Sequence, residues 1–552
     1  MGEVEEVSTP LAVHQSPNTQ LFEMSQRLGQ GHALLAQLKV EGRSPTGHEQ
    51  DVARTFAASL ARLDAANPTD ALARQLLARA AHFAPGEPIP RALLADSVAL
   101  DEADAALQVE DALTRLIELG LLEDEASGAL RLHRLLAAFA RSALADATAQ
   151  AAAEQAMLDA AWRVNEAGYP LAMQPLLPHL RHTADSALAC AGERAASLSL
   201  NLGFHLYAAG DLISAQPYYE HALAINQQVL GERHLDTAAS LNNMGGLLQD
   251  LGDLEAAWEY YAQALDILRA VLGERHPDTA TSLNNLGTLL KAQGDLAGAR
   301  AYYEQALDIR RKVLEVSHPD IAQSLNNLGS LLWVQGNLEE AREYLEQALA
   351  IWRAVLGEHH PNTAASLNNL GGLLQAQGDL AGAREYLEQA LVIRREVLGE
   401  RHPDTATSLN NLGMLLQAQG DLAGARVYYS QALAIRRAVL GERHPHTAQS
   451  LNNMGGLLQD VGDLEAARGY YTQALDIWRD VLGERHPDTA RSLNNLGGLL
   501  QAQGDLAGAQ AYYAQALAIL IAALGPQHPT TQIVRRNLAA LGPAAGGAEP
   551  DE

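Results

Sequence analysis

From about residue 196 to the C-terminus, apolar residues recur at helical spacing in paired segments. In one such unit Ala280, Leu283, Gly287 and Leu290 share a helical face, which predicts a first helix ending at Gly294. Gly294 suits a left-handed C-terminal cap, and Asp295 behind it suits the N-cap of a second segment. That segment carries Leu296, Ala299, Tyr303, Ala306 and Val313 at helical spacing. It ends where Gly273, Gly399, Gly441 and Gly483 occur in its counterparts, before Pro277, Pro403, Pro445 and Pro487, a residue type suited to the first turn of a helix. His234, His276, His318, His360, His402, His444, His486 and His528 mark the same point in every unit, 42 residues apart without a slip. A fixed period of this length predicts a solenoid in which each unit buries its apolar face on its neighbours.

The alternation of small and large residues narrows the class. Leu286-Gly287 in the first helix, then Ala299, Tyr303 and Ala306 in the second, resemble the tetratricopeptide-repeat pattern. The 42-residue length with LNNLG and GERHPDTA is similar, more narrowly, to the repeats of kinesin light chains and of bacterial proteins related to them. This resemblance implies an all-α fold, a right-handed α-solenoid of helix pairs with its first helices lining a concave groove. Eight repeats are expected over 196–531, a capping helix over 532–541 and a disordered tail over 542–552. The first unit is degenerate, with Leu200-Asn201 where the others have Asn-Asn.

Charge and cysteine content remove several function classes. The chain of 552 residues has a net charge of −27 and no basic cluster with interleaved aromatics, so nucleic acid and anionic membrane meet a repulsive field. A single cysteine, Cys190, excludes an intramolecular disulfide and a cysteine-cluster zinc site. With no recognisable secretion signal and no uncharged run judged long enough to span a bilayer, the expectation is a cytoplasmic protein.

Within the groove the paired asparagines stand out. Asn242, Asn284, Asn326, Asn368, Asn410, Asn452 and Asn494 come first in each pair, on a stripe with Thr281, Thr288 and Lys291. They are expected to face the groove, where stacked amides pair with the backbone of an extended peptide; a solvated polar groove is the alternative. Their neighbours, such as Asn285, are expected in the contact between units. Lys291, Trp333, Gln375 and Gln417 line the groove three residues beyond Thr288 and its counterparts, Trp333 either as an anchor for a partner side chain or packed on its own helix. The groove lacks the Lys/Arg set with which tetratricopeptide clamps hold a carboxylate. The histidines are too far apart to share a zinc ion and are expected to bond to loop backbone.

The N-terminal third lacks the period. LLEDEASGALRLHRL places two short apolar stretches around a Ser-Gly turn. With TFAASLARL and LLARAAHFAPGEPIPRALL it resembles the winged-helix segment of NB-ARC-type signal-transduction ATPases over 52–142, after a disordered or partly helical segment 1–51 and before a helical linker 143–195. In that family a Met-His-Asp motif brings a histidine to ADP; here Leu132-His133-Arg134 keeps the histidine and loses the carboxylate. No GxxxxGK[ST] occurs, and GQGHALLAQ near Gly29 cannot cradle a phosphate. The leading expectation is a scaffold binding proteins or peptides, not an enzyme, with no cofactor or metal. The alternative is the effector or sensor arm of a STAND-type nucleotide switch whose ATPase, of the NB-ARC type, is missing or supplied in trans.

Overall fold

The computed structural model describes residues 47–98, 104–144, 146–167, 169–190 and 192–541. The expected N-terminal segment lies outside these residues up to 46, as does the tail 542–552. The described residues form two compact units: those up to 161 together with 175–186, and 162–174 together with those from 187 onward.

In the first unit α1 (Gly47–Leu60), α2 (Pro68–Ala80), α3 (Arg91–Asp96), α4 (Ala105–Glu118) and α5 (Arg134–Ala143) surround a small antiparallel sheet. Its strands are β1 (Pro88–Ile89), β2 (Glu123–Asp124) and β3 (Leu130–Arg131), in the order β1-β3-β2. The β2–β3 hairpin turns at Gly128, whose φ of 79° a side chain would strain. The helices α6 (Ala149–Ala167) and α7 (Leu177–Ala187) follow. His179 on α7 is buried and bridges both ways: its Nδ1 accepts from the Ala84 amide at 3.1 Å and its Nε2 lies 2.9 Å from the Pro88 carbonyl.

In the second unit the expected helix pairs form without interruption. First helices are α8 (Glu193–Ala208), α10 (Leu235–Leu251), α12 (Pro277–Ala292), α14 (Pro319–Val334), α16 (Pro361–Gln377), α18 (Pro403–Ala418), α20 (Pro445–Val461) and α22 (Pro487–Gln503). Second helices are α9 (Leu212–Val229), α11 (Leu254–Leu272), α13 (Leu296–Val313), α15 (Leu338–Leu356), α17 (Leu380–Val397), α19 (Leu422–Val439), α21 (Leu464–Leu482) and α23 (Leu506–Leu524). The closing helix α24 (Pro529–Ala540) starts three residues earlier than expected, because Pro529 supplies its first position and His528 its cap.

Each boundary has a chemical cause. In α12 the Nδ1 of His276 accepts from the Asp278 amide at 3.2 Å, so histidine is the N-cap, and this recurs from His234 to His528. The second helix starts on Asp295, whose carboxylate accepts from the Gly298 amide at 2.9 Å. Helix pairs close on a Gly–Tyr contact that underlies the repeat pattern, replaced by Gly329–Leu345 and Gly371–Leu387 in the fourth and fifth repeats. A Cβ on Gly287 would stand 2.7 Å from Cδ1 of Tyr303, so only glycine lets the buried ring lie against the first helix.

One core column varies in a way that hydrophobic periodicity does not register. Asn226, Leu268, Arg310, Trp352, Arg394, Arg436, Trp478 and Leu520 occupy the same buried slot in successive repeats. The polar members donate to the next repeat: Arg310 Nη1 to the Asp320 carbonyl at 2.9 Å and Ser324 Oγ at 2.8 Å, Arg394 likewise to Asp404 and Ser408. Leucine or tryptophan fills the slot by packing alone.

The helix Leu506–Leu524 corrects the membrane reading of the sequence: it is uncharged and, by length and composition, apolar enough to cross a bilayer. Its place in the eighth repeat explains part of that character. Ala509, Tyr513, Ala516 and Leu520 pack into the solenoid core, while Leu506 and Ile521 remain exposed.

The solenoid winds tightly enough for successive turns to touch. Nε2 of His402 lies 2.7 Å from the Ala208 carbonyl, and His486 and His528 meet Ala292 and Val334 at 2.6 Å; His444 meets Asp250 in the same way. Every pair is 194 residues apart. Since Nδ1 of each ring accepts from its own helix, Nε2 carries the proton and donates to the earlier turn. Pro403 and Pro487 close on Gly210 and Gly294, where an added Cβ would meet the proline Cδ at 2.6 and 2.8 Å. For these four histidines the expected backbone bond is therefore double, one within the loop and one across the turn.

Candidate functional site

The face of α12 left partly open consists of Asp278, Thr281, Asn285, Thr288 and Ala292, spaced three or four apart. Its counterparts Phe204, Asp404, Thr407 and His446 share the lining of one cavity, which marks this partly open stripe as the candidate binding face. Asn284 does not belong to it. By a step of about 100° per residue, Asn284 and Asn285 stand about 60° and 40° to either side of the line through Thr281, so periodicity alone leaves the choice open. The next repeat decides it by covering Asn284.

The amides form a ladder between repeats. Asn327 Nδ2 donates to Asn284 Oδ1 at 3.0 Å, and the same bond joins Asn369 to Asn326, Asn411 to Asn368, Asn453 to Asn410, Asn495 to Asn452 and Asn537 to Asn494, at 3.0–3.2 Å. At the other end Asn242 exchanges two hydrogen bonds with Ser282. Asn284, Asn326, Asn368, Asn410 and Asn452 are buried, so their reading as solvated groove residues is corrected; Asn242 and Asn494, at the array's ends, are half-buried. Asn327, Asn369, Asn411, Asn453 and Asn495 stay half-open on the stripe while also holding the ladder, and Asn285 is half-open too.

Either partner of a rung should therefore matter for stability. Asn326→Ala and Asn369→Ala are each expected to cost about 1 kcal/mol, because each leaves an amide group unpaired. The double substitution should cost clearly less than the two together, since the same bond is lost once. Thermal unfolding of the three variants checks this; strict additivity would show the two amides to be independent.

The remaining groove positions differ from one another. Lys291 donates to Ser330 Oγ at 2.6 Å, and burial lowers its pKa to about 8. Trp333 is half-buried and lies over the next repeat: a Cβ on Gly372 would meet its ring at 2.5 Å. Gln417 accepts from Tyr429 at 2.8 Å and donates to Asp460 at 2.7 Å, whereas Gln375 is half-buried.

A cavity of 530 Å³ opens where the first turn meets the second, lined among others by Tyr169, Tyr207, Asp250, Asp404, Arg436 and His446. The Tyr207 hydroxyl donates to the Asp250 carboxylate at 2.6 Å. Burial pushes Asp250 up to about 6, against the hydrogen bond from Tyr207. His446 is open to the cavity, where crowding by protein together with Arg436 pulls it down to about 3, and burial lowers Arg436 to about 10. The Asp404 side chain is 55% exposed toward the cavity; crowding by the surrounding protein works to raise its pKa, but the charges of Arg394, His402, His446 and Arg436 hold it below the usual carboxylate range. The repeat position of Asp404 reads Asn362 one unit earlier and His446 one unit later, so the substitutions cluster at the cavity. Sequence reading missed this cluster; its signal was a break in an otherwise aspartate-rich column.

Because native Asp250 holds its proton up to about pH 6 and the unfolded carboxyl ionises near 3.8, this group's contribution to stability falls as pH rises between those values and is level above them. Asp250→Asn, which keeps an acceptor for Tyr207, is expected to raise the melting temperature relative to wild type at pH 7 and to lose that advantage at pH 3.5. A pH-independent difference would refute the assignment.

Seven matches to the tetratricopeptide-repeat family model span residues 193–270, 236–312, 320–396, 366–438, 404–479, 446–522 and 488–541, more than half of the chain. The chain is a tetratricopeptide-repeat protein. Among solved structures, a kinesin light chain with nearly identical repeats from Podosopora anserina is 30% identical, covers 37% of this chain and 97% of its own, and has a TM-score of 0.30. A Rap protein complexed with competence and sporulation factor is 17% identical over 70% of this chain and 99% of its own, with a TM-score of 0.49. A STAND protein with a tetratricopeptide-repeat sensor from Pyrococcus horikoshii is 14% identical over 95% of this chain and 72% of its own, with a TM-score of 0.47. At these TM-scores the structural likenesses add nothing to the family assignment. No curated protein matches the chain. Tetratricopeptide repeats make this chain a protein-interaction scaffold.

Proposed function

We propose that the partly open stripe of this tetratricopeptide-repeat protein faces the groove and binds an extended, neutral-to-basic peptide segment of a partner protein. The observation that carries this is the stripe's composition. Its first column contains Asp236, Asp278, Asp320, Asp404 and Asp488, all at least partly open, and the following columns hold Thr281, Asn285, Thr288 and their counterparts. Lys291 is already engaged by Ser330, and Arg491, the Thr281 counterpart in the last repeat, by Asp488 and the Trp478 ring, which leaves little to hold a carboxylate and favours a cationic ligand. The amides suited to peptide backbone are the second of each pair, Asn285, Asn327, Asn369, Asn411, Asn453 and Asn495. Asn242 through Asn494 contribute through the ladder beneath them. Trp333, Gln375 and Gln417 are the candidate side-chain contacts.

The test is selection from a random peptide library followed by calorimetry. Binders should be enriched in Lys and Arg, and Asp278→Asn with Asp320→Asn should weaken them several-fold and flatten the salt dependence. A library that enriches nothing sinks the peptide reading; binders indifferent to both substitutions and to salt sink the charge reading.

For the first unit, the order helix, β1, helix, helix, hairpin, helix from α2 to α5 supports a winged-helix-like reading of this region. His133 has a local task there as the N-cap of α5, accepting from the Leu135 amide at 3.2 Å, so it needs no nucleotide to account for it.

A further inference from the structure

We propose that a second copy of this chain docks head to tail on the solenoid, placing the open edge of its first turn on the open edge of the last. The contact exists four times inside the chain. In each instance a histidine N-cap and its proline, at the start of a first helix, press on a glycine C-cap and the carbonyl two residues before it, one turn earlier. A winding of finite length leaves one set of donors and one set of acceptors without such a neighbour.

Both sets are visible among the described residues. On the donor edge, the side chains of His234, His276 and His318 are 44%, 39% and 41% exposed, against 9% and 8% for His402 and His486, which meet an earlier turn. Val439 and Val481 reach Gly210 and Gly252 of the earlier turn; their counterparts Val229, Val271, Val313 and Val355 are exposed. Tyr169 stacks edge-on against His360 at 6.2 Å and closes this edge after the fourth repeat. On the acceptor edge, Gly210, Gly252 and Gly294 are buried by the later turn, whereas Gly378, Gly420, Gly462 and Gly504 are exposed and meet nothing within 4 Å of an added Cβ. The carbonyls of Ala376, Ala418, Asp460 and Ala502 belong to that same open edge.

Three donors in 42-residue steps thus match successive members of an acceptor series with the same step. The partner is this chain because the two edges are the halves of an interface it already makes with itself. They are different surfaces, so the association is heterologous and extends in one direction instead of closing on a twofold axis.

Sedimentation velocity of the full chain from about 1 to 200 µM tests this. The sedimentation coefficient is expected to rise with concentration through dimer and higher species. A donor-edge variant, His234→Asn with His276→Asn, His318→Asn and Val271→Glu, and an acceptor-edge variant, Ala418→Glu with Ala502→Glu, should each weaken self-association at least tenfold while keeping the helical circular-dichroism spectrum. Mixed one to one, they should recover dimers and nothing larger, because each retains the edge the other lacks. A chain monomeric over the whole range, association indifferent to both variants, or a mixture that stays monomeric would each overturn the proposal.

Discussion

Replacing His402, His444 and His486 together by asparagine is expected to destabilise the solenoid by on the order of 3 kcal/mol, through loss of three hydrogen bonds of about 1 kcal/mol each. The same triple change at His234, His276 and His318 should leave the dilute monomer nearly unaltered. Asparagine is a good N-cap, so both variants keep the bond from the backbone amide two residues on. What it lacks is the reach of Nε2, which in the first set donates to the Ala208, Asp250 and Ala292 carbonyls one turn earlier. The two variants therefore differ only in the contact between turns. Melting temperature and amide exchange at the ends of α8, α10 and α12 are the measurements. Small-angle scattering should add a larger radius of gyration for the inner variant, as its turns separate. Equal stability of the two variants would mean that the turns touch without stabilising one another.

Two glycine substitutions on regular helices should act with opposite sign. Glycine inside a helix is normally worse than alanine by about 1 kcal/mol, so Gly→Ala stabilises where there is room. Gly469 on α21 is such a site, with nothing within 4 Å of an added Cβ, and Gly469→Ala is expected to raise stability by up to about 1 kcal/mol. At Gly287 the same methyl meets Cδ1 and Cε1 of the buried Tyr303 at 2.7 and 2.8 Å and the Ala299 carbonyl at 3.3 Å. The ring is confined on its other faces by the core of its repeat, so Gly287→Ala is expected to cost about 1–3 kcal/mol despite the better helix former. Urea unfolding of the two variants decides it. A stabilised Gly287→Ala would mean that the ring moves aside freely and that the Gly–Tyr pairing is not what fits the two helices together.

The paired asparagines show where sequence reading stopped. Their period, the helix that carries them and their inward-facing half were all legible, because a 3.6-residue pitch assigns a face from spacing alone. Which amide of each pair stays open was not legible, since both lie close to the stripe's edge and only the docking of the next repeat covers Asn284 and leaves Asn285 half-open. The buried arginines escaped for a related reason. Arg310, Arg394 and Arg436 sit at core spacing but are charged, and their acceptors, backbone carbonyls and serines of the following repeat, have no sequence signature of their own.

The sequence by itself determined the repeat, its helix boundaries and the tetratricopeptide class. Each of these rests on interactions within some 20 residues: a histidine or aspartate cap, a glycine stop, a glycine facing a tyrosine one helix later. The tertiary structure alone decided that the turns close on one another over 194 residues, that a cavity opens between the first and second turns, and that Asp250, Asp404, Arg436 and His446 meet there. The physical reason is the accumulation of small angles. The rotation between neighbouring repeats is set by side-chain packing at every junction, and only its sum over several repeats fixes which distant residues come into contact.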